Sequence, residues 1–103
     1  MKYLVYGMKS TAVEEAVVAI SNALQVTFEL RESSYKGGQY FRYRDNGGWD
    51  VSIESHWQDE DGLLAKPDFS EYSVLIYVNE VPLEVEGKFD RIPSIRKLES
   101  RVF

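Results

Sequence analysis

Asp50, Ser52, Glu54 and His56 alternate with Val51, Ile53 and Ser55 in one short stretch of the chain. In an extended strand, residues two apart share a face, so two carboxylates, a hydroxyl and the only histidine would converge on one side. Such a set could ligate a metal or supply a general base. The segment just upstream alternates in the same way, with Phe41 and Tyr43 pointing one way and Tyr40, Arg42 and Arg44 the other. Pairing opposite charges across neighbouring strands is an ordinary way to finish a wet sheet face. The arginines provide that pairing, so a small metal-dependent or hydrolytic enzyme using Asp50, Glu54 and His56 is the alternative reading.

Other chemistry is weaker. Asp59, Asp61 and Gly62 fall at positions three, five and six of a calcium loop, but position one would be Trp57, which cannot ligate, and position twelve the short Asp68. Gly37 with Gly38 and Gly47 with Gly48 sit in hairpin turns, not between a strand and a helix as phosphate-binding glycines must. Ser33, Ser34 and Ser55 would need an approaching base, and one histidine gives no triad by spacing. The absence of cysteine removes thiol nucleophiles, zinc–thiolate sites, iron–sulfur clusters and disulfides. No catalytic residue, cofactor or metal is therefore expected.

Charge is more informative. The chain has 103 residues, twelve Lys and Arg, seventeen Asp and Glu, and a net charge of -5. That sign disfavours broad electrostatic binding of nucleic acid. Residues 45–71 hold eight carboxylates against Lys66 alone, whereas residues 91–103 carry four basic groups and one acid. The acidic stretch also contains Trp57, Leu63, Leu64, Phe69 and nearby Tyr72. Aromatic anchors for desolvated contact, with carboxylates to steer a basic partner, compose a protein-binding surface. The expected partner-binding residues are Trp57, Asp59, Glu60, Asp61, Asp68, Phe69 and Glu71.

The elements that position these residues follow from periodicity. Residues 2–6 read as a strand. Thr11 and Glu14 form a capping box ahead of a helical stripe at Val13, Ala16, Val17, Ile20 and Leu24. Val26, Phe28 and Leu30 alternate as a half-buried strand, and Ser34, Tyr35, Lys36 and Gly37 make a hairpin to the next one. Asn46, Gly47 and Gly48 form a three-residue turn with a glycine bulge. That turn pairs Phe41 with Ile53, Tyr43 with Val51 and Arg44 with Asp50; a two-residue turn would mix charged and apolar residues on both faces. The same register puts Glu29 beside Arg42 and Arg31 beside Tyr40, which neighbours Glu54. Residues 57–73 lose periodicity. Residues 74–78 are apolar on both sides, as in a central strand. Pro82 opens a second helix with Val85, Phe89 and Ile92 on its apolar side, Pro93 stops it, and residues 95–103 form a last strand, with a short helix through Ile95, Leu98 and Val102 as the competing reading. One α+β domain over residues 1–103 results: a mostly antiparallel sheet of five or six strands, order β-α-β-β-β-β-α-β, with two helices on one face and the other face open to water as a charged ladder.

The run Glu32-Ser33-Ser34-Tyr35-Lys36-Gly37-Gly38-Gln39-Tyr40 and the later Ser73-Val74-Leu75-Ile76-Tyr77-Val78-Asn79 give an arrangement that resembles small bacterial immunity proteins of contact-dependent growth inhibition and other polymorphic toxin systems. The resemblance spans most of the chain. It implies a non-enzymatic inhibitor that binds a cognate toxin domain in the cytoplasm and blocks its active site, commonly with an acidic surface where the toxin is a basic nuclease. It supplies no catalytic residue. Monomer or homodimer is expected, with no nucleic acid and no membrane as partner, since no apolar run approaches the ~20 residues of a membrane span. A homo-oligomeric regulatory module joined through strand edges is a further alternative.

Overall fold

The computed structural model describes residues 2–9, 12–33, 38–56 and 66–102. Its elements run β1 (Lys2–Met8), α1 (Val13–Leu24), β2 (Glu29–Ser33), β3 (Gly38–Arg44), β4 (Asp50–Ser55), β5 (Val74–Asn79), α2 (Leu83–Asp90) and β6 (Arg96–Val102). The strands form one six-stranded sheet in the spatial order β2-β3-β4-β5-β1-β6, and every pairing is antiparallel. The fold is α+β, as the periodicity predicts.

Position in the sheet explains composition. The neighbours β5 and β1 are covered on both faces, and Leu4, Val5, Tyr6, Val74, Leu75 and Ile76 are all buried. One face carries the main core: Leu4, Tyr6, Met8, Val51, Ile53, Val74, Ile76 and Val78 meet Ala16, Ile20 and Leu24 of α1 and Phe89 of α2. Tyr6 stacks on Phe89 with ring centroids 5.3 Å apart. Each fully buried aliphatic or aromatic side chain in this layer contributes about 1.5–3 kcal/mol through burial.

The β3–β4 hairpin has the expected register, with Phe41 opposite Ile53, Tyr43 opposite Val51 and Arg44 opposite Asp50. Gly48 takes φ +97°, Asp45 N–H donates to the Trp49 carbonyl at 2.8 Å, and Gly48 N–H donates to the Asp45 carbonyl at 3.1 Å. Asp45 further fixes the loop by accepting from the Tyr43 hydroxyl and the Gly47 N–H, both at 2.7 Å. The β2–β3 strands also register as read, Glu29 opposite Arg42 and Arg31 opposite Tyr40, while the turn at residues 34–37 lies outside the described residues.

Four local expectations change. Thr11 of the capping box lies outside the described residues, and α1 is preceded by Ala12, whose methyl group cannot accept an amide hydrogen bond. The strand expected from Val26 begins only at Glu29. Phe28 still packs against the core, but Leu30 is 53% exposed because β2 is the sheet edge, beyond the cover of the helices. The second helix ends at Asp90, three residues before Pro93, and Ile92 is buried just past it. Finally, the face away from the helices is only partly wet. Val5, Leu75 and Tyr72 form a second small core with Phe69 and Leu98 around it, and Ser52, Glu54 and Tyr40 are buried. Tyr72 and Phe69 come from the aperiodic segment, which therefore covers part of the expected open face.

Candidate functional site

His56 and residues 66–73, ahead of β5, are held to the sheet by backbone chemistry. The His56 N–H donates to the Ser73 carbonyl at 2.8 Å, and the Ser73 N–H donates to the Met8 carbonyl at 3.1 Å. The His56 ring then grips both ends of the segment. Its Nε2 accepts the Lys66 N–H at 3.0 Å, and its Nδ1 lies 2.7 Å from the Tyr72 carbonyl. An accepting Nε2 requires the neutral tautomer protonated at Nδ1, which donates to Tyr72. Both ring nitrogens are thus committed to main-chain groups.

Between these grips a 3-10 turn, Pro67–Phe69, is closed by the Phe69 N–H on the Lys66 carbonyl at 2.9 Å. The Tyr72 ring, 5% exposed, lies directly over Gly7, where a Cβ would stand 2.7 Å from its Cγ. The Lys66 ammonium reaches Glu99 at 3.5 Å and sits over the Tyr3 and Tyr77 rings, 5.9 and 6.0 Å from their centroids.

Of the expected partner-binding residues, Asp68, Phe69 and Glu71 lie on this pinned segment, and Trp57, Asp59, Glu60 and Asp61 lie outside the described residues. Asp68 and Glu71 are exposed and make no ion pair among the described residues, while Phe69 is half-buried. With Tyr72, Arg96 and Leu98 they line a groove of about 310 Å³ beside β6. Its lining thus mixes two carboxylates, the apolar side chains and the β6 cations Arg96 and Lys97.

Asp50, Ser52 and Glu54 share a face of β4 and His56 follows its last residue, but the hydrogen bonds of all four are spent on structural contacts. Asp50 accepts from Asn79 Nδ2 at 2.9 Å and meets Arg42 at 3.7 Å; the charge contact thus runs diagonally, not to Arg44 directly opposite. Ser52 donates to Glu54 at 3.0 Å, and both are buried. Burial first, then the Glu54, Tyr3 and Glu99 side chains, hold the neighbouring Tyr77 hydroxyl protonated far above the usual phenol range. Among the described residues, no group of three or more His, Asp or Glu is placed to hold a metal ion, and no helix is long and apolar enough to cross a membrane.

Two concavities that local sequence reasoning does not reveal lie on the same face. The larger, about 220 Å³, is lined by Tyr3, Tyr40, Arg42, Asp50, Ser52, Tyr77 and Asn79. The smaller, about 120 Å³, is lined by Glu29, Arg31, Arg42 and Arg44. Tyr77 and Asn79 carry the one visible signal, as the polar-tipped alternates in an otherwise apolar strand; Tyr3 joins them only through the β1–β5 pairing, in which it lies opposite Asn79.

No protein-family model matches the chain, and no curated protein matches its sequence.

Proposed function

We propose that the chain is an immunity protein, which binds a cognate bacterial toxin domain in the cytoplasm and neutralises it through an acidic surface, the target being a basic domain such as a nuclease. The observation that carries this reading is the state of Asp68 and Glu71: exposed carboxylates without an ion pair among the described residues, on a segment that His56 and Tyr72 fix to the sheet. Preorganised charge lowers the ordering cost of docking, and Phe69 at the groove offers apolar contact beside it. The acidic run at residues 59–61 belongs to the same carboxylate-rich stretch of the sequence and adds to its negative charge.

The test is co-expression of this chain with the toxic terminal domain of a secreted protein encoded by the adjacent gene, scoring survival and co-purification. Rescue together with co-purification is expected. Association should slow with added salt, and the Asp68→Asn/Glu71→Gln double variant should slow it at low salt while leaving stability unchanged. Survival of cells irrespective of this chain, or rescue without complex formation, overturns the reading.

A further inference from the structure

We propose that the sheet face away from the helices binds a phosphate monoester of a polar ring, a nucleoside or sugar phosphate, with its phosphate on Arg31, Arg42 and Arg44 and its ring against Tyr3, Tyr40 and Tyr77. This inference is independent of the immunity reading and concerns a different part of the face.

Its basis is that the two concavities are neighbours, with Arg42 in the lining of both. Around the smaller one, three guanidinium groups face two carboxylates, Glu29 and Asp50, so this end is cationic within an acidic chain. The guanidiniums are not consumed. Arg31 spends one contact on exposed Glu29 at 3.3 Å, Arg42 stands 3.7 Å from Asp50, beyond hydrogen-bond distance, and Arg44 is exposed with no ion pair among the described residues. A planar fork of donors matches phosphate oxygens bidentately, which a lone ammonium cannot do.

The larger concavity suits the other end of such a ligand. Tyr3 and Tyr77 are half-buried with ring centroids 6.4 Å apart and planes 32° from parallel, so they are not stacked face to face, and Tyr40 is buried in its wall. Asn79 donates to Asp50, and its carbonyl oxygen is left to receive a hydroxyl or amine of the ring. The Lys66 ammonium over the same tyrosines closes one flank and adds positive potential. Arg42 and Tyr77 lie two strands apart with Ser52 of β4 between them, a separation of about 10 Å, comparable to the span from a phosphate to the ring of a mononucleotide. The net charge of -5 opposes a polyanion, which needs many phosphates neutralised; a single phosphate needs only this cluster.

The test titrates the full chain with cytidine 5′-monophosphate, ribose 5-phosphate, inorganic phosphate and cytidine, by calorimetry and backbone amide NMR. At least one of the two esters should bind about tenfold or more tightly than phosphate or cytidine, since both ends contribute. Amide shifts should centre on β3, β4 and Asn79. The tighter ester identifies the ring. Arg44→Ala, at an exposed position, should keep the melting temperature and weaken the ester about tenfold, with partial recovery in Arg44→Lys. No ester binding at millimolar concentration, equal binding of inorganic phosphate, an unaffected Arg44→Ala variant, or shifts confined to residues 66–73 would each overturn the proposal.

Discussion

Replacing Gly7 with alanine tests whether the 66–73 segment is seated as described. Gly7 lies in β1, paired to Leu75 on one side and Arg96 on the other, so its backbone cannot retreat without breaking two ladders. A Cβ there would stand 2.7 and 2.8 Å from Tyr72 Cγ and Cδ1, and 2.8 Å from Leu98 Cδ1, where ordinary contacts begin near 3.4 Å. The ring and the leucine must therefore move by several tenths of an ångström. Without the clash, alanine in a strand interior would be favourable by about 0.5–1 kcal/mol because glycine loses more chain entropy on folding. Overpacking of this kind costs about 1–3 kcal/mol, so a net destabilisation is expected. Displacing Tyr72 also disturbs its carbonyl, which receives the His56 ring proton. Urea unfolding should show a lower midpoint with unchanged slope, and hydrogen exchange should accelerate at the Lys66 amide more than at the amides of β5. Tyr72→Ala added to Gly7→Ala should cost less than the sum of the two single changes, because the second change removes the ring's share of the clash and leaves only the Leu98 contact. A Gly7→Ala protein as stable as the parent, with an equally protected Lys66 amide, would refute the seating of Tyr72 on Gly7.

Three further outcomes follow from single side chains. Gly87→Ala in α2 should raise stability by about 0.5–1 kcal/mol, some 4–8 °C in melting temperature per kcal/mol for a domain of this size, because a Cβ there meets nothing within 4 Å. Glu86, buried between α2, β1 and β6, accepts from the Lys2 and Lys97 ammonium groups, which hold its carboxyl below the usual range against the opposing effect of burial. Its contribution is therefore fully present above the ordinary carboxylate pKa of about 4.3 and is lost as pH falls through the lowered value in the folded state. Glu86→Gln should destabilise at neutral pH, and the gap from the parent, measured by denaturant titration across pH 2–7, should close in acid. His56→Ala removes the acceptor of the Lys66 N–H and the donor to Tyr72, and should cost about 1–3 kcal/mol in thermal unfolding.

How much of this arrangement a reader of the sequence can see depends on whether the interaction is written in side chains or in main chain. The β3–β4 register is legible because Phe41, Tyr43, Val51 and Ile53 alternate strictly and the glycines of the turn admit one consistent pairing. The central place of β5 is legible because its apolar run has no wet side. The grip of His56 is not, since its partners are the amide of Lys66 and the carbonyl of Tyr72, which every residue possesses. The second core is equally hidden: Tyr72 and Phe69 arrive from an aperiodic segment, and Leu98 sits at an irregularity in the β1–β6 register that breaks simple alternation. Of the candidate residues, the β4 carboxylates are visible because they alternate locally, whereas Tyr3 joins them only through a pairing between chain segments some seventy residues apart.

The same face therefore carries two surfaces of opposite character, and Lys66 lies where they meet. Its amide is bound by His56, its ammonium by Glu99, and that ammonium rests on the two tyrosines that wall the larger concavity. Lys66 thus ties the acidic segment to the tyrosines of the larger concavity. Arg42 lines the larger concavity, whereas Asp68 and Glu71 line the groove beside β6 together with Arg96 and Lys97. Arg31, Arg42 and Arg44 on β2 and β3 lie at the opposite end of the sheet from the clamped segment beside β6, so a chain of net negative charge keeps a locally cationic cluster away from its exposed Asp68 and Glu71.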